Sequence, residues 1–174
     1  ALESARASLL KDPNVELRAA VLRMASVTGD ASLLPTLKAR LNNTKSARVV
    51  KQAALAGLAK LNLREADAEL AHWLDRLGKG QVELGLALDV QEAAEARNDN
   101  PKLTQALAAY KTSQTPRQHL DLLSLGGDAH RGGGLFVNHL AAACIRCHRV
   151  ARGPGTTVGP NLMRIGNRPP HYLT

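Results

Sequence analysis

The stretch Cys144-Ile145-Arg146-Cys147-His148 holds the chain's most reactive grouping. Two thiols with two residues between them, followed at once by an imidazole, form the attachment signature of a c-type haem. The chemistry requires that spacing. Each thiol adds its S–H across one vinyl group, so the two sulfurs must sit one short turn apart. The neighbouring imidazole then falls beneath the iron and ligates it through Nε2. These are the only two cysteines in the chain, so one covalent haem c accounts for both. Rival chemistries ask for more. A structural zinc site wants two further Cys or His ligands at a matching spacing, and the six histidines form no second close pair. A thioredoxin-like redox pair wants a βαβ setting, which the pattern does not offer.

Eleven residues beyond His148 comes Gly159-Pro160-Asn161-Leu162. With this second motif the segment resembles the class I cytochrome c family, in which Gly-Pro-x-Leu follows the haem histidine at about that distance. The resemblance implies that the Pro160 carbonyl accepts the Nδ1–H of His148, fixing the ring and its basicity. It implies that Leu162 packs on the haem face and that Arg168 stands near a haem propionate. It also implies a first helix bearing Gly132 and Phe136. There the glycine lets the first and last helices cross closely, and Phe136 packs near the haem edge. Asp128 is a candidate cap for that helix. Gly132, Gly133 and Gly134 are poor helix formers, each costing about 1 kcal/mol against Ala, so a flexible lead-in is the alternative. Cys144 follows Phe136 by eight positions, a longer gap than the family usually shows.

A class I cytochrome needs a second axial ligand and a closing helix. Only 26 residues follow His148, and they are rich in turn formers. The closing helix and an axial methionine are therefore expected beyond Thr174. Met163 is the one methionine in that stretch and a candidate sixth ligand, but it follows Leu162 directly, where the family's chain runs past the proximal side. His130, His139 and His171 are the other candidates. Ligand identity matters because Met/His ligation raises the haem potential.

The elements that position this site read as helices. Apolar residues make up 44% of the 174 and aromatics only 2%, a mix that suits small helices packed closely and argues against a β-sandwich. A repeat runs through the first two-thirds. Leu17-Arg18-Ala19-Ala20-Val21-Leu22 recurs 33 residues later as Val50-Lys51-Gln52-Ala53-Ala54-Leu55, and Leu84-Gly85-Leu86-Ala87-Leu88 is a weaker copy shifted by 34. Leu37, Leu70 and Leu103 are 33 apart, as are Leu41, Leu74 and Leu107. Each unit therefore holds two amphipathic helices. Asp12-Pro13-Asn14, Thr28-Gly29-Asp30 and Asn98-Asp99-Asn100-Pro101 supply the turns. The pattern resembles HEAT-like repeats, which implies a right-handed solenoid, since such a helix pair cannot bury its apolar face alone. The expected fold is all-α: a HEAT-like α-solenoid over residues 1–111 of about three units, a linker and short helix over 112–125, and a cytochrome c-like haem domain over 126–174, incomplete at its C-terminus. Lys111 to Pro116 reads as the linker, with Thr115 capping and Pro116 opening a helix through Leu125. The loop from Arg149 to Gly155 is expected to cover one haem edge.

The net charge of +8 suits steering toward an acidic partner. Basic residues are spread along the chain and no aromatics are interleaved for base stacking, so nucleic acid is not the expected partner. No apolar run reaches the roughly 18 residues of a membrane span. The chain opens on Ala1-Leu2-Glu3-Ser4-Ala5-Arg6 with no secretory signal and an apolar first face. Since haem is joined to such motifs outside the cytoplasm, a fragment or mature segment of a longer exported, periplasmic protein is expected.

Helical repeats followed by Gly-Gly-Asp, a Gly-Phe helix, Cys-x-x-Cys-His and Gly-Pro-x-Leu resemble the haem-binding C-terminal regions of large exported proteins of planctomycetes and their relatives. That resemblance implies electron transfer through one haem, with an upstream dehydrogenase domain or a redox partner protein supplying the electrons. No residue reads as a catalytic acid, base or nucleophile; His72 and Trp73 read as helix packing residues. Two competing readings are a five-coordinate haem enzyme or sensor, and a protein-binding solenoid scaffold that carries a haem.

Overall fold

The structure is a computed structural model and describes residues 2–150, 152–169 and 172. It is all-α; no strand occurs among the described residues. In chain order the helices are α1 (Leu2–Leu9), α2 (Val15–Thr28), α3 (Leu34–Asn42), α4 (Arg48–Leu58), α5 (Arg64–Gly78), α6 (Leu84–Glu95), α7 (Pro101–Ser113), α8 (Pro116–Leu125) and α9 (Ala129–Asn138). Single 3-10 turns lie at Cys144–Arg146 and Ile165–Asn167.

Local chemistry sets many of the helix starts. The Asn14 carboxamide oxygen accepts from the N–H groups of Glu16 and Leu17, at 2.9 and 3.3 Å. Asn100 does the same for Lys102 and Leu103, with Pro101 in the first helical position. Thr115 and Gln118 form a reciprocal capping box at the start of α8. The link before α8 is shorter than its composition implied. α7 runs through Ser113, so only Gln114 and Thr115 separate the two helices. Nor is α8 a free spacer, since it lies against α6 and buries Leu122.

Helices α2, α4, α6 and α8 lie side by side in one row. On the other side α3 lies against α4, and α5 against both α6 and α7. The six leucines of the 33-residue register (Leu37, Leu41, Leu70, Leu74, Leu103 and Leu107) are all buried in the seam. Each such burial is worth about 1.5–3 kcal/mol. The third copy of the repeat is out of the expected register. Leu84 is exposed and Leu88 only half-buried, while Leu86 and Val90 sit fully inside. The reason is length: α5 continues about one turn past the point where α3 stops, which delays α6. His72 also departs from expectation, being exposed, whereas its neighbour Trp73 is buried.

Buried polar groups tie neighbouring helices together, and each has its partners. Glu69 receives hydrogen bonds from Asn42 at 2.7 Å and from the Trp73 indole at 3.2 Å, and pairs with Lys38 at 3.3 Å. Arg97, at the end of α6, meets Asp67 of α5 at 2.8 Å, and Asn100 donates to the same carboxylate at 3.0 Å. Burial pushes Asp67 upward, but the hydrogen bonds from Arg97 and Asn100 and the charge of Arg97 outweigh it, so the carboxyl lies below its usual range.

Candidate functional site

The segment that carries the two cysteines begins with an anchor on the helix row. Gln52 of α4 donates from its amide nitrogen to Asp89 of α6 at 3.0 Å and to the Gly127 carbonyl at 2.9 Å. Arg23 of α2 pairs with Asp128 at 3.1 Å. Arg131 pairs with Glu92 at 3.5 Å. Gly126 lies so close to Leu88 that an added Cβ would come within 2.5 Å of that side chain. Asp128 also caps α9, accepting from the Arg131 N–H at 3.1 Å. Three helices of the row thus hold the first residues of the segment. The anchor borders a cleft of about 560 Å³ floored by Ala53, Ala56, Ala93 and Ala96. Burial pushes the Asp89 carboxyl above its usual range; the charges of Glu92 and Asp128 act the same way, and the Gln52 hydrogen bond opposes them.

Residues 132–134, with their three glycines, are helical inside α9 rather than a loose lead-in. A Cβ at any of them would meet no atom within 4 Å. Nothing among the described residues explains the glycine run. Phe136 is half-buried on this helix, which rests against the Cys144–Arg146 turn.

The cysteines and His148 share one tight turn. The Cys147 N–H donates to the Cys144 carbonyl at 3.2 Å, and the His148 N–H donates to the same oxygen at 2.9 Å. Ala143 enters that turn with φ +46°, a left-handed conformation that is costly for a residue with a Cβ. Both thiols are free, Cys147 exposed and Cys144 half-buried.

The chain then folds back on this turn. Thr156 donates from its hydroxyl to the Arg146 carbonyl at 2.6 Å and from its N–H to Ile145 at 3.2 Å. The Gly159 N–H reaches the Cys147 carbonyl at 2.5 Å, and the Leu162 N–H reaches the Arg149 carbonyl at 2.8 Å. Between these ties the Pro160 carbonyl stands 2.9 Å from His148 Nδ1, the contact the Gly-Pro-x-Leu motif implied. A carbonyl can only accept, so Nδ1 carries a proton, and in the neutral ring Nε2 keeps its lone pair. Two glycines make the approach possible. A Cβ on Gly159 would lie 2.9 Å from His148 Cε1. A Cβ on Gly155, whose φ is +124°, would lie 2.1 Å from the His148 carbonyl oxygen.

The remaining candidates are placed as follows. Leu162 is half-buried. Met163 is exposed, and its N–H donates to the Asn161 side chain at 2.8 Å. It is carried by the strip that clamps His148. His139 has its Nδ1 turned inward, accepting from the Ala142 N–H at 3.0 Å. Arg168 lies 5.3 Å over the Tyr172 ring. The side chain of His130 and the whole of His171 fall outside the described residues.

Several features escaped the reading of motifs. The acids end at Asp128: six arginines and no Asp or Glu follow it, so the excess charge gathers at the cysteine segment although basic residues occur throughout. That asymmetry was visible in the sequence. Arg149, next to the imidazole, has a buried Nε without a hydrogen-bond partner. No motif pointed to it.

Chemically, the turn offers two unpaired thiols and an imidazole with one free nitrogen. These suit a planar iron cofactor joined through two thioethers and one axial ligand. The exposed side chains of Leu135, Val137, Leu140, Val150 and Val158 fit a large, largely apolar group. Among the described residues, no three His, Cys, Asp or Glu side chains gather as a protein-only metal site would need. No protein-family model matches the chain, and no curated protein or solved structure matches it either.

Proposed function

We propose that residues 126–174 form a class I cytochrome c-like unit that carries one covalent haem c and transfers electrons. Cys144 and Cys147 would hold the group as thioethers, and His148 would be its proximal ligand. The single observation that carries this reading is the clamp on His148: the Pro160 carbonyl accepts a hydrogen bond from Nδ1–H, which leaves Nε2 as the ligating atom beside two free thiols. Bound haem supplies a one-electron ferrous/ferric couple. The chain's own residues fix the imidazole tautomer, tie Thr156 and Gly159 to the Cys-x-x-Cys turn, and place positive charge around it.

Residues 1–111 are read as HEAT-like repeats, supported by the row of α2, α4 and α6 and by six leucines in one buried register. Because α8 joins that row, the repeat stack and the haem unit meet at Gly126 rather than across a flexible linker. In this reading the stack is a mount that orients the haem unit as the redox relay of a larger exported oxidoreductase. The partner surface is expected to be acidic, since the haem unit has six arginines and no carboxylate side chain beyond Asp128. Among the described residues no helix is long and apolar enough to cross a membrane.

The test is expression with a c-type maturation system in an exporting host. The purified chain should carry one haem per chain, resist acid–acetone extraction and lose its pigment in Cys144→Ser/Cys147→Ser. A colourless wild-type product overturns the proposal. A five-coordinate enzyme or sensor is the second reading, favoured by the placement of Met163 on the strip that clamps His148. Carbon monoxide binding without denaturation would support it, and a low-spin ferric spectrum with a methionine-to-iron band would reject it.

A further inference from the structure

We infer that a recess at the first junction between helix pairs, lined by Lys11, Arg18, Arg40 and Lys45, binds a small anion of the phosphate class; this does not depend on the haem reading. The recess is a cleft of about 340 Å³ between the turn after α1, the side of α2 and the loop from α3 to α4. Four cationic side chains line it and no carboxylate does. Among the described residues none of the four forms an ion pair. By contrast, Arg6, Arg23 and Arg97 are each paired with an aspartate. Like charges around one recess repel each other, and an anion placed among them relieves that repulsion.

Two of the cations are held by backbone rather than by carboxylates. Arg18 donates from a terminal nitrogen to the Asp12 carbonyl, and Arg40 donates to the Leu10 carbonyl at 2.9 Å. Each half-buried guanidinium therefore keeps its full charge and has further N–H groups to give. Paired N–H groups of this planar kind match phosphate oxygens. Lys11 and Lys45 are exposed and supply flexible ammonium groups. Ser46, Ala47 and Val50 bring the start of α4 to the same recess, and no side chain caps that helix. Its unpaired N–H groups add to the attraction for an anion. The repeat provides an internal comparison. One 33-residue step on, the four positions hold Thr44, Lys51, Trp73 and Gly78, and Lys51 pairs with Glu83 at 3.6 Å. Stacking of helix pairs thus does not itself require the cluster. No residue of the recess lines the cleft beside the Gly126–Asp128 anchor. The volume lies at the lower end for small-molecule pockets, so a compact anion with two or more charges suits it.

The experiment titrates the full chain with pyrophosphate by calorimetry at neutral pH and low ionic strength. The wild type should bind one pyrophosphate with a Kd below about 1 mM. Its Tm should rise with pyrophosphate and not with sodium chloride of equal ionic strength. Arg40→Gln should weaken binding about tenfold or more, the effect of losing a charge-assisted hydrogen bond. Lys11→Gln and Lys45→Gln should each weaken it about twofold to fivefold. Their side chains have no protein partner to lose among the described residues, so they serve if Arg40→Gln does not fold. Arg152→Gln, in the basic cysteine segment, should leave the Kd unchanged. A wild type that binds no pyrophosphate overturns the assignment, as does wild-type affinity in Lys11→Gln and Lys45→Gln. A loss in Arg152→Gln as large as that in Lys45→Gln also overturns it, since diffuse attraction to a basic chain would then account for the binding.

Discussion

The helix row from α2 to α8 and the cysteine segment after Gly126 solve the burial problem in opposite ways. In the row, leucines spaced by 33 residues sit inside the seam, and charged residues such as Glu69 and Asp67 have several partners each. Beyond Leu122 no described residue is buried, and Leu140 remains 90% exposed. The segment is held by backbone hydrogen bonds and by its anchor at Gly126–Asp128. Hydrogen bonds between exposed backbone groups contribute little net stability, because water offers the same bonds in the unfolded state. A region can be well shaped and still lack the apolar contacts that make a shape stable. The row carries its own core; the segment needs one supplied.

The largest effect expected from this contrast is on proteolysis. Without haem, as in Cys144→Ser/Cys147→Ser, the region after Gly126 should be cut rapidly while the helix row survives as a resistant fragment; with haem both should resist. Equal resistance of the two regions in the haem-free chain would end the comparison. Core substitutions come next. Leu55→Ala, at a fully buried position of α4, should cost about 2–5 kcal/mol in urea denaturation. Leu140→Ala should change stability by less than about 0.5 kcal/mol in the haem-free chain.

A smaller effect, confined to the segment, follows from Gly159. Its Cβ would press on the His148 ring, so Gly159→Ala should cost about 1–3 kcal/mol in the haem-loaded protein. The visible spectrum should change while the helix content of the row does not. The smallest effect concerns the anchor and its pH dependence. Burial raises the Asp89 carboxyl above its ordinary value of 3.8, so the folded state keeps a proton that the unfolded chain has already released. Stability from this group is therefore present below 3.8, falls as pH rises through the window between the two values, and stays at the lower level above it. Asp89→Asn should raise Tm at pH 7 and leave it unchanged below about pH 3.8. Asp67 acts in the opposite sense: its carboxyl is lowered, so its contribution is present at neutral pH and is lost as pH falls through the folded value. A Tm of Asp89→Asn at or below the wild type at neutral pH would show that its carboxylate is not a burden to the row.

The helix starts were legible because they depend on near neighbours. Asn14, Asn100 and Thr115 cap where their side chains can reach free N–H groups two or three residues on. The leucine register was legible for the same kind of reason, since a fixed period puts one face inward. The third copy misled because its register depends on the length of α5, and nothing in Leu84 to Leu88 alone reveals that Leu86 and Val90 face the core.

What the sequence determined by itself is the set of local choices: the all-α class, the paired thiols, the adjoining imidazole and the turn-forming Gly-Pro that returns toward it. These are decided within a few residues, by side-chain reach and backbone freedom. The tertiary structure decided which distant groups meet. It set Gln52 between Asp89 and Gly127, laid Gly155 against the His148 carbonyl and left Arg149 with a buried, unpaired N–H. Those contacts bring together residues from separate helices and loops, and burial, which no residue carries on its own, turns them from solvated groups into groups that require a partner.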